Sequence, residues 1–148
     1  MVYIPNDTKW YVAEIVEEIR VEHDPENVVH RNLVLIRADS PEEAYEKAIE
    51  LGREGDREYD NPEARRVRFR FRGLSELCVI YDELEHGAEL LFSEDVGVSE
   101  EQIASWVRPK EALAVFRPDE PRTGPDYSSR EIVREAEELI RKSSPERG

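Results

Sequence analysis

Residues 65–72 alternate without a break, with Val67, Phe69 and Phe71 on one side of an extended chain and Arg66, Arg68, Arg70 and Arg72 on the other. Successive side chains of a strand point to opposite faces, so this segment requires a sheet with one dry face and one wet face. Antiparallel sheets are commonly built that way, whereas parallel sheets are covered on both faces. An open antiparallel sheet with a cover on its apolar side is the frame into which the rest of the chain must fit.

The other segments supply strands and cover. In residues 9–21, Val12, Ile15, Val16 and Ile19 have helical spacing, while Tyr11, Ala13, Ile15, Ile19 and Val21 share one face of a strand. The β-branched and aromatic content selects the strand. After a polar connection, residues 28–37 carry the run Leu33-Val34-Leu35-Ile36 and form the second arm of a hairpin. Ser40-Pro41-Glu42-Glu43 opens a helix, with Ser40 as cap, Pro41 in the first turn and Glu43 returning the bond. Its stripe is Ala44, Ala48 and Leu51, flanked by Tyr45 and Ile49, and Gly52 or Gly55 ends it. Turn chemistry follows in Asp60-Asn61-Pro62.

Gly73 reads as a turn into a strand over 76–81, and Gly87 as the break before another over 88–92, giving a meander with the arginine strand. Ser99 and Gln102 cap a short helix containing Ile103, Trp106 and Val107 that stops near Pro109, and residues 112–116 read as a last strand. Pro118, Pro121, Gly124 and Pro125 mark a linker. Ser128 and Glu131 form a third capping box, before a helix with the apolar stripe Ile132, Val133, Ala136, Leu139 and Ile140. The expected architecture is α+β: a mainly antiparallel sheet of five or six strands with two helices on one face, an order that permits a ferredoxin-like arrangement, plus a C-terminal amphipathic helix. Residues 1–117 make the compact domain and 118–148 the linker and helix.

Composition then limits function. The 148-residue chain has a net charge of −14, which opposes non-specific binding to nucleic acid or anionic membranes. The charge is uneven: residues 63–74 carry five Arg and one Glu, while residues 75–107 hold nine acids and no Lys or Arg. Cys78 is the only cysteine, so no intramolecular disulfide forms and a reducing compartment is expected. The first ten residues lack the basic and apolar regions of a signal peptide. No apolar run reaches the roughly 20 residues of a membrane helix. A cytoplasmic protein is expected.

Two surfaces stand out as candidate sites. Arg66, Arg68, Arg70 and Arg72 project side by side and suit an anion, because guanidinium forks match carboxylate or phosphate. The competing reading has them paired with acids on neighbouring strands, with Glu14, Glu17, Glu18 and Glu76 as partners. The second surface is Asp82, Glu83, Glu85, His86 and Glu89, which fits a basic partner or simply a solvated face. No calcium-loop spacing, H-E-x-x-H, nucleophile elbow or phosphate-binding glycine loop is present. The three histidines, His23, His30 and His86, have no metal-ligand spacing. Cys78 lies between Leu77 and Val79 as a small hydrophobe. No metal, cofactor or catalytic residue is expected.

Trp10-Tyr11-Val12-Ala13-Glu14, Asn32-Leu33-Val34-Leu35-Ile36, the Ser40-Pro41-Glu42-Glu43-Ala44 helix, Phe69-Arg70-Phe71-Arg72-Gly73-Leu74 and Asp82-Glu83-Leu84-Glu85-His86-Gly87 occur in this order. In these segments the chain resembles a family of short bacterial proteins catalogued only as a domain of unknown function. The resemblance covers roughly residues 9–95 and implies a small cytosolic α+β domain, with no activity or catalytic residue to carry over. The function expected is a non-enzymatic acidic domain that binds a basic protein partner. The alternative is a small-anion-binding domain or enzyme using the arginine face, with Glu14 or His86 as acid or base. A homo-oligomer through the 128–143 helix is a further expectation.

Overall fold

A computed structural model describes residues 9–119 and 122–143. Four strands, β1 (Trp10–Val21), β2 (Val28–Arg37), β3 (Arg57–Asp60) and β4 (Arg66–Val79), form one antiparallel sheet in the order β2-β1-β4-β3. The sheet curls into a half-barrel. Among the described residues, three α-helices, α1 (Pro41–Glu54), α2 (Glu100–Trp106) and α3 (Arg130–Ser143), and two short 3-10 turns complete the regular structure. The described residues divide into two compact units, one made of residues 9–91 and 124–143 and the other of residues 92–119 and 122–123.

β1 is the strand that its one-faced pattern indicates. Tyr11, Ala13, Ile15, Ile19 and Val21 are buried on one face, with half-buried Glu17 interrupting the row, and Val12 alone is buried on the other face. Tyr11 and Ala13 join Ile36 and Ala38 in a cluster closed by Ala44 and Ala48 of α1. Ile19 and Val21 join Val67 and Phe69 in a second cluster. Most of the core is thus two apolar patches on one sheet face, separated at Glu17.

Residue chemistry explains the cover on the first patch. Ser40 Oγ accepts from the Glu43 amide at 3.2 Å, while the Glu43 carboxylate accepts from the Asp39 amide at 3.3 Å, one residue earlier than a reciprocal capping box would place it. The helix runs through Gly52 and is capped at Gly55. Gly52 is buried, and the Phe71 ring of β4 occupies the space where its Cβ would stand. Here glycine serves close approach, not termination.

The second patch is covered by an irregular segment before α3. Tyr127 packs edge-on to Phe69, with ring centroids 6.2 Å apart, and to His30 at 5.5 Å. The Tyr59 hydroxyl donates to the Tyr127 carbonyl and Asn61 Nδ2 donates to the Asp126 carbonyl at 3.0 Å. Asn61 is fully buried, and its Oδ1 accepts from the Glu63 and Arg65 amides, which closes the tight turn from β3 to β4. One side chain therefore both makes the turn and anchors the strap.

Several expectations are corrected. The meander does not form: β4 continues through Gly73 to Val79 as one strand, because two bulges absorb the irregular pattern there. Glu14 pairs with Glu76 and Ile15 with Leu74, leaving Ser75 extra; Val16 pairs with Gly73 and Glu17 with Phe71, leaving Arg72 extra. Gly73 takes φ +137 inside the strand. Residues 88–92 are irregular, and residues 110–116 form two short 3-10 turns instead of a strand. The sheet has four strands, not five or six, and its all-antiparallel ββαββ order is not ferredoxin-like.

The helices are also revised in part. α1 packs on the sheet, whereas α2, capped by Ser99 as expected, belongs to the second unit. The cap of α3 is Ser129, whose Oγ accepts from Ile132, while Ser128 Oγ turns to Asp126. Ile132, Leu139 and Ile140 of α3 are exposed.

Two stability outcomes follow. Gly52→Ala should gain up to about 1 kcal/mol in helix propensity but lose about 1–3 kcal/mol by overpacking Phe71, so urea unfolding should show net destabilisation. Tyr127→Ala should cost about 1–3 kcal/mol, below the value for a fully buried aromatic, by uncovering Phe69. An unchanged denaturation midpoint for this variant would show that the strap contributes nothing to the core.

Candidate functional site

The face of the sheet opposite the core carries the arginines. Register places Arg66, Arg68 and Arg70 on that face of β4, and Arg72 is the extra residue of a bulge. Arg66 lies 3.2 Å from Glu58 and 3.6 Å from Asp60, and Arg68 lies 3.4 Å from Glu58. Both acids come from the adjacent β3, opposite Arg68 and Arg66 in the ladder. Arg72 bonds Glu18 of β1 at 3.0 Å, and Glu18 also meets Arg20 at 3.4 Å. Among the described residues Arg70 makes no ion pair, and it lines a shallow open pocket with Arg68, Asp56 and Glu58.

Of the four acids named as partners from sequence, Glu18 alone serves the arginine strand. Glu14 takes Arg31 of β2 at 3.6 Å and accepts from Ser75 Oγ at 2.6 Å. Glu17 lies in the inner row of β1 opposite Phe71, and Glu76 accepts from the Leu77 amide. Glu58 and Asp60 were missed because β3 has four residues and no alternating apolar pattern. The near signal was the local pairing of acids at 58 and 60 with bases at 66 and 68 across a turn.

Electrostatics agree with internal pairing. The Glu18 carboxyl is held below its ordinary range, first by the Asn27 amide that donates to it and then by Arg20 and Arg72, against the opposing effect of desolvation. Asp39 is lowered by its bond to Lys9, and Glu43 by its bond to Lys47. These interactions are surface ones, screened by solvent, and each contributes little to stability. Their role on the sheet is to let cationic side chains lie side by side without repulsion.

The acidic surface is built differently. Residues 82–89 form an irregular loop closed by the Glu89 amide donating to Asp82 Oδ2 at 3.0 Å and by a turn from Ala88 to the Glu85 carbonyl, with Gly87 at φ +86. Asp82, Glu83, Glu85, His86 and Glu89 are all exposed. Among the described residues no Lys or Arg pairs with them. Leu84 and the neighbouring Leu90 and Leu91 are exposed beside them.

Catalytic chemistry finds no assembled group. Among the described residues no set of three or more His, Cys, Asp or Glu is placed to hold a metal ion. Burial pushes the Cys78 thiol up, with the Glu76 carboxylate adding to the effect, which works against thiolate formation. His30 packs on Tyr127, and His23 sits beside Glu22 at the hairpin loop. No helix among the described residues is long and apolar enough to cross a membrane.

Fold and surfaces together define a small α+β domain whose antiparallel half-barrel packs most of its core on one face and carries its paired charges on the other. The chain belongs to the family described as a domain of unknown function, DUF4288, whose model matches residues 10–92. That span holds the whole sheet, α1 and the acidic loop, and excludes the strap around Tyr127. No curated protein and no solved structure matches the chain.

The lowered carboxyls set an acid limit. A folded pKa below the unfolded one contributes stability that is present above about pH 4.3 and is lost as pH falls through the folded value. Glu18→Gln should therefore flatten the decline in melting temperature between about pH 5 and pH 3 relative to wild type. Thermal melts across that range check it; an unchanged slope would remove Glu18 from the acid response.

Proposed function

We propose that this chain is a non-enzymatic cytoplasmic interaction domain whose acidic loop, residues 82–89, docks a basic segment of a protein partner. The observation that carries the reading is a contrast in charge satisfaction. Arg66, Arg68 and Arg72 are answered by Glu58, Asp60 and Glu18, so most of the basic strand is spent inside the fold. Asp82, Glu83, Glu85 and Glu89 are exposed, with no cation beside them among the described residues. Unanswered carboxylates of one sign steer a cationic partner and speed its association at low salt.

The exposed Leu84, Leu90 and Leu91 add the apolar contact that a purely electrostatic encounter lacks. Affinity in such interfaces comes from a few desolvated anchors, with rim charges governing rate and salt dependence. The arginine-face alternative has less support, since an incoming anion would compete with four existing ion pairs and gain only Arg70 unopposed.

The test compares native pull-downs by the wild-type chain and by a variant in which Asp82 becomes Asn and Glu83, Glu85 and Glu89 become Gln. A basic protein should be retained by wild type at low salt, released at high salt, and lost at least tenfold by the variant. Equal capture by both chains, or capture indifferent to salt, would overturn the assignment.

A further inference from the structure

β2 is an outer strand of the sheet, and its hydrogen-bonding direction can be read from the ladder. The Ala38 amide bonds the Lys9 carbonyl at 2.9 Å, and antiparallel pairs alternate between bonded and non-bonded. The bonded partners of β1 are therefore Val28, His30, Asn32, Val34 and Ile36. Val29, Arg31, Leu33, Leu35 and Arg37 aim their amides and carbonyls away from the sheet. At one end, Lys47 of α1 donates to the Arg37 carbonyl at 2.7 Å. Among the described residues, Val29, Arg31, Leu33 and Leu35 keep both groups unanswered.

The side chains of the same residues face outward too. Val29, Leu33 and Leu35 are 51%, 58% and 46% exposed. Natural edges are blunted by short length, charge, proline or bulges. β3, at the other side, has four residues, two acids in its ladder and Pro62 just beyond. β2 is ten residues long, regular, and free of proline and glycine. The charge on Arg31 is already met by Glu14, so it does not guard the edge.

We infer that the β2 edge is the interface for a second copy of this chain, joined antiparallel with Val29 facing Leu35 and Arg31 facing Leu33 across a two-fold axis at Asn32. This register is chosen by the open groups. It uses all four unanswered residues of each copy, makes about eight hydrogen bonds, and leaves the Arg37 carbonyl with Lys47. It sets Val29 against Leu35 twice. The two Arg31 side chains become diagonal neighbours, each held by its own Glu14. An isologous contact of this kind needs one self-complementary patch, and residues 29–35 are such a patch. The interface is separate from the acidic loop and stands whether or not that loop binds a basic partner.

Sedimentation equilibrium of the full chain should give twice the 17.3 kDa chain mass. Leu33→Pro removes an amide that points outward, so the ladder to β1 keeps its bonds, and the variant should be a folded monomer. A second arm does not depend on proline being tolerated. In a Cys78→Ser background, Asn32→Cys places two thiols at a non-bonded pair with Cα atoms about 4.5 Å apart, within disulfide range. Mild oxidation should cross-link it, while Val29→Cys should remain uncross-linked. A wild-type monomer at all concentrations, a dimer that survives in folded Leu33→Pro, or cross-linking at 29 in preference to 32 would each overturn the interface.

Discussion

Everything in this fold depends on burying one face of a central strand that is longer than any single helix can cover. At about 3.3 Å per residue, the twelve residues of β1 extend roughly 40 Å, whereas the fourteen of α1 reach about 21 Å at 1.5 Å each. The helix therefore seals the patch around Tyr11 and Ala13 and ends near Phe71. The remaining patch, with Ile19 and Phe69, has to find another cover. It finds it in a segment distant in sequence, held by Tyr59 and Asn61, which lie 68 and 65 residues before their partners Tyr127 and Asp126. Glu17 sits at the boundary between the two covers, where a half-buried carboxylate costs least.

Much of this was legible in the residues. The one-faced row of β1 was readable with its gap at position 17 already visible, and the hairpin, the Ser40 cap and the wet and dry faces of residues 65–72 needed only local rules. What could not be read was long-range. The strap depends on Tyr127 meeting Phe69, which no periodicity announces, and the four-residue β3 is held by ladder bonds and ion pairs instead of an apolar pattern. The expected strands over 88–92 and 112–116 failed because short apolar runs without a neighbouring ladder have no reason to extend. For the charged surfaces, composition located both, and only pairing geometry separated them.

That separation has a structural source. Cross-strand positions on a sheet are fixed neighbours, so a basic strand next to an acidic one neutralises itself at little entropic cost. A loop has no such neighbour. Residues 82–89 follow the end of β4, where the chain leaves the sheet, and their carboxylates lie beyond reach of the arginine row that precedes them in sequence.

The two bulges in β4 have a consequence for how such a strand can change over time. Each inserts one residue and turns the following side chains to the opposite face, so the phase slips at Arg72 and returns at Ser75. Phe71 and Leu77 face the same core because the two slips cancel, with Leu74 between them on the opposite sequence parity. Losing either extra residue alone would remove its bulge and leave every other residue of β4 opposite the same partner and on the same face. Single-residue gaps at 72 and 75 are thus independent events, each straightening the strand without moving a leucine out of the core.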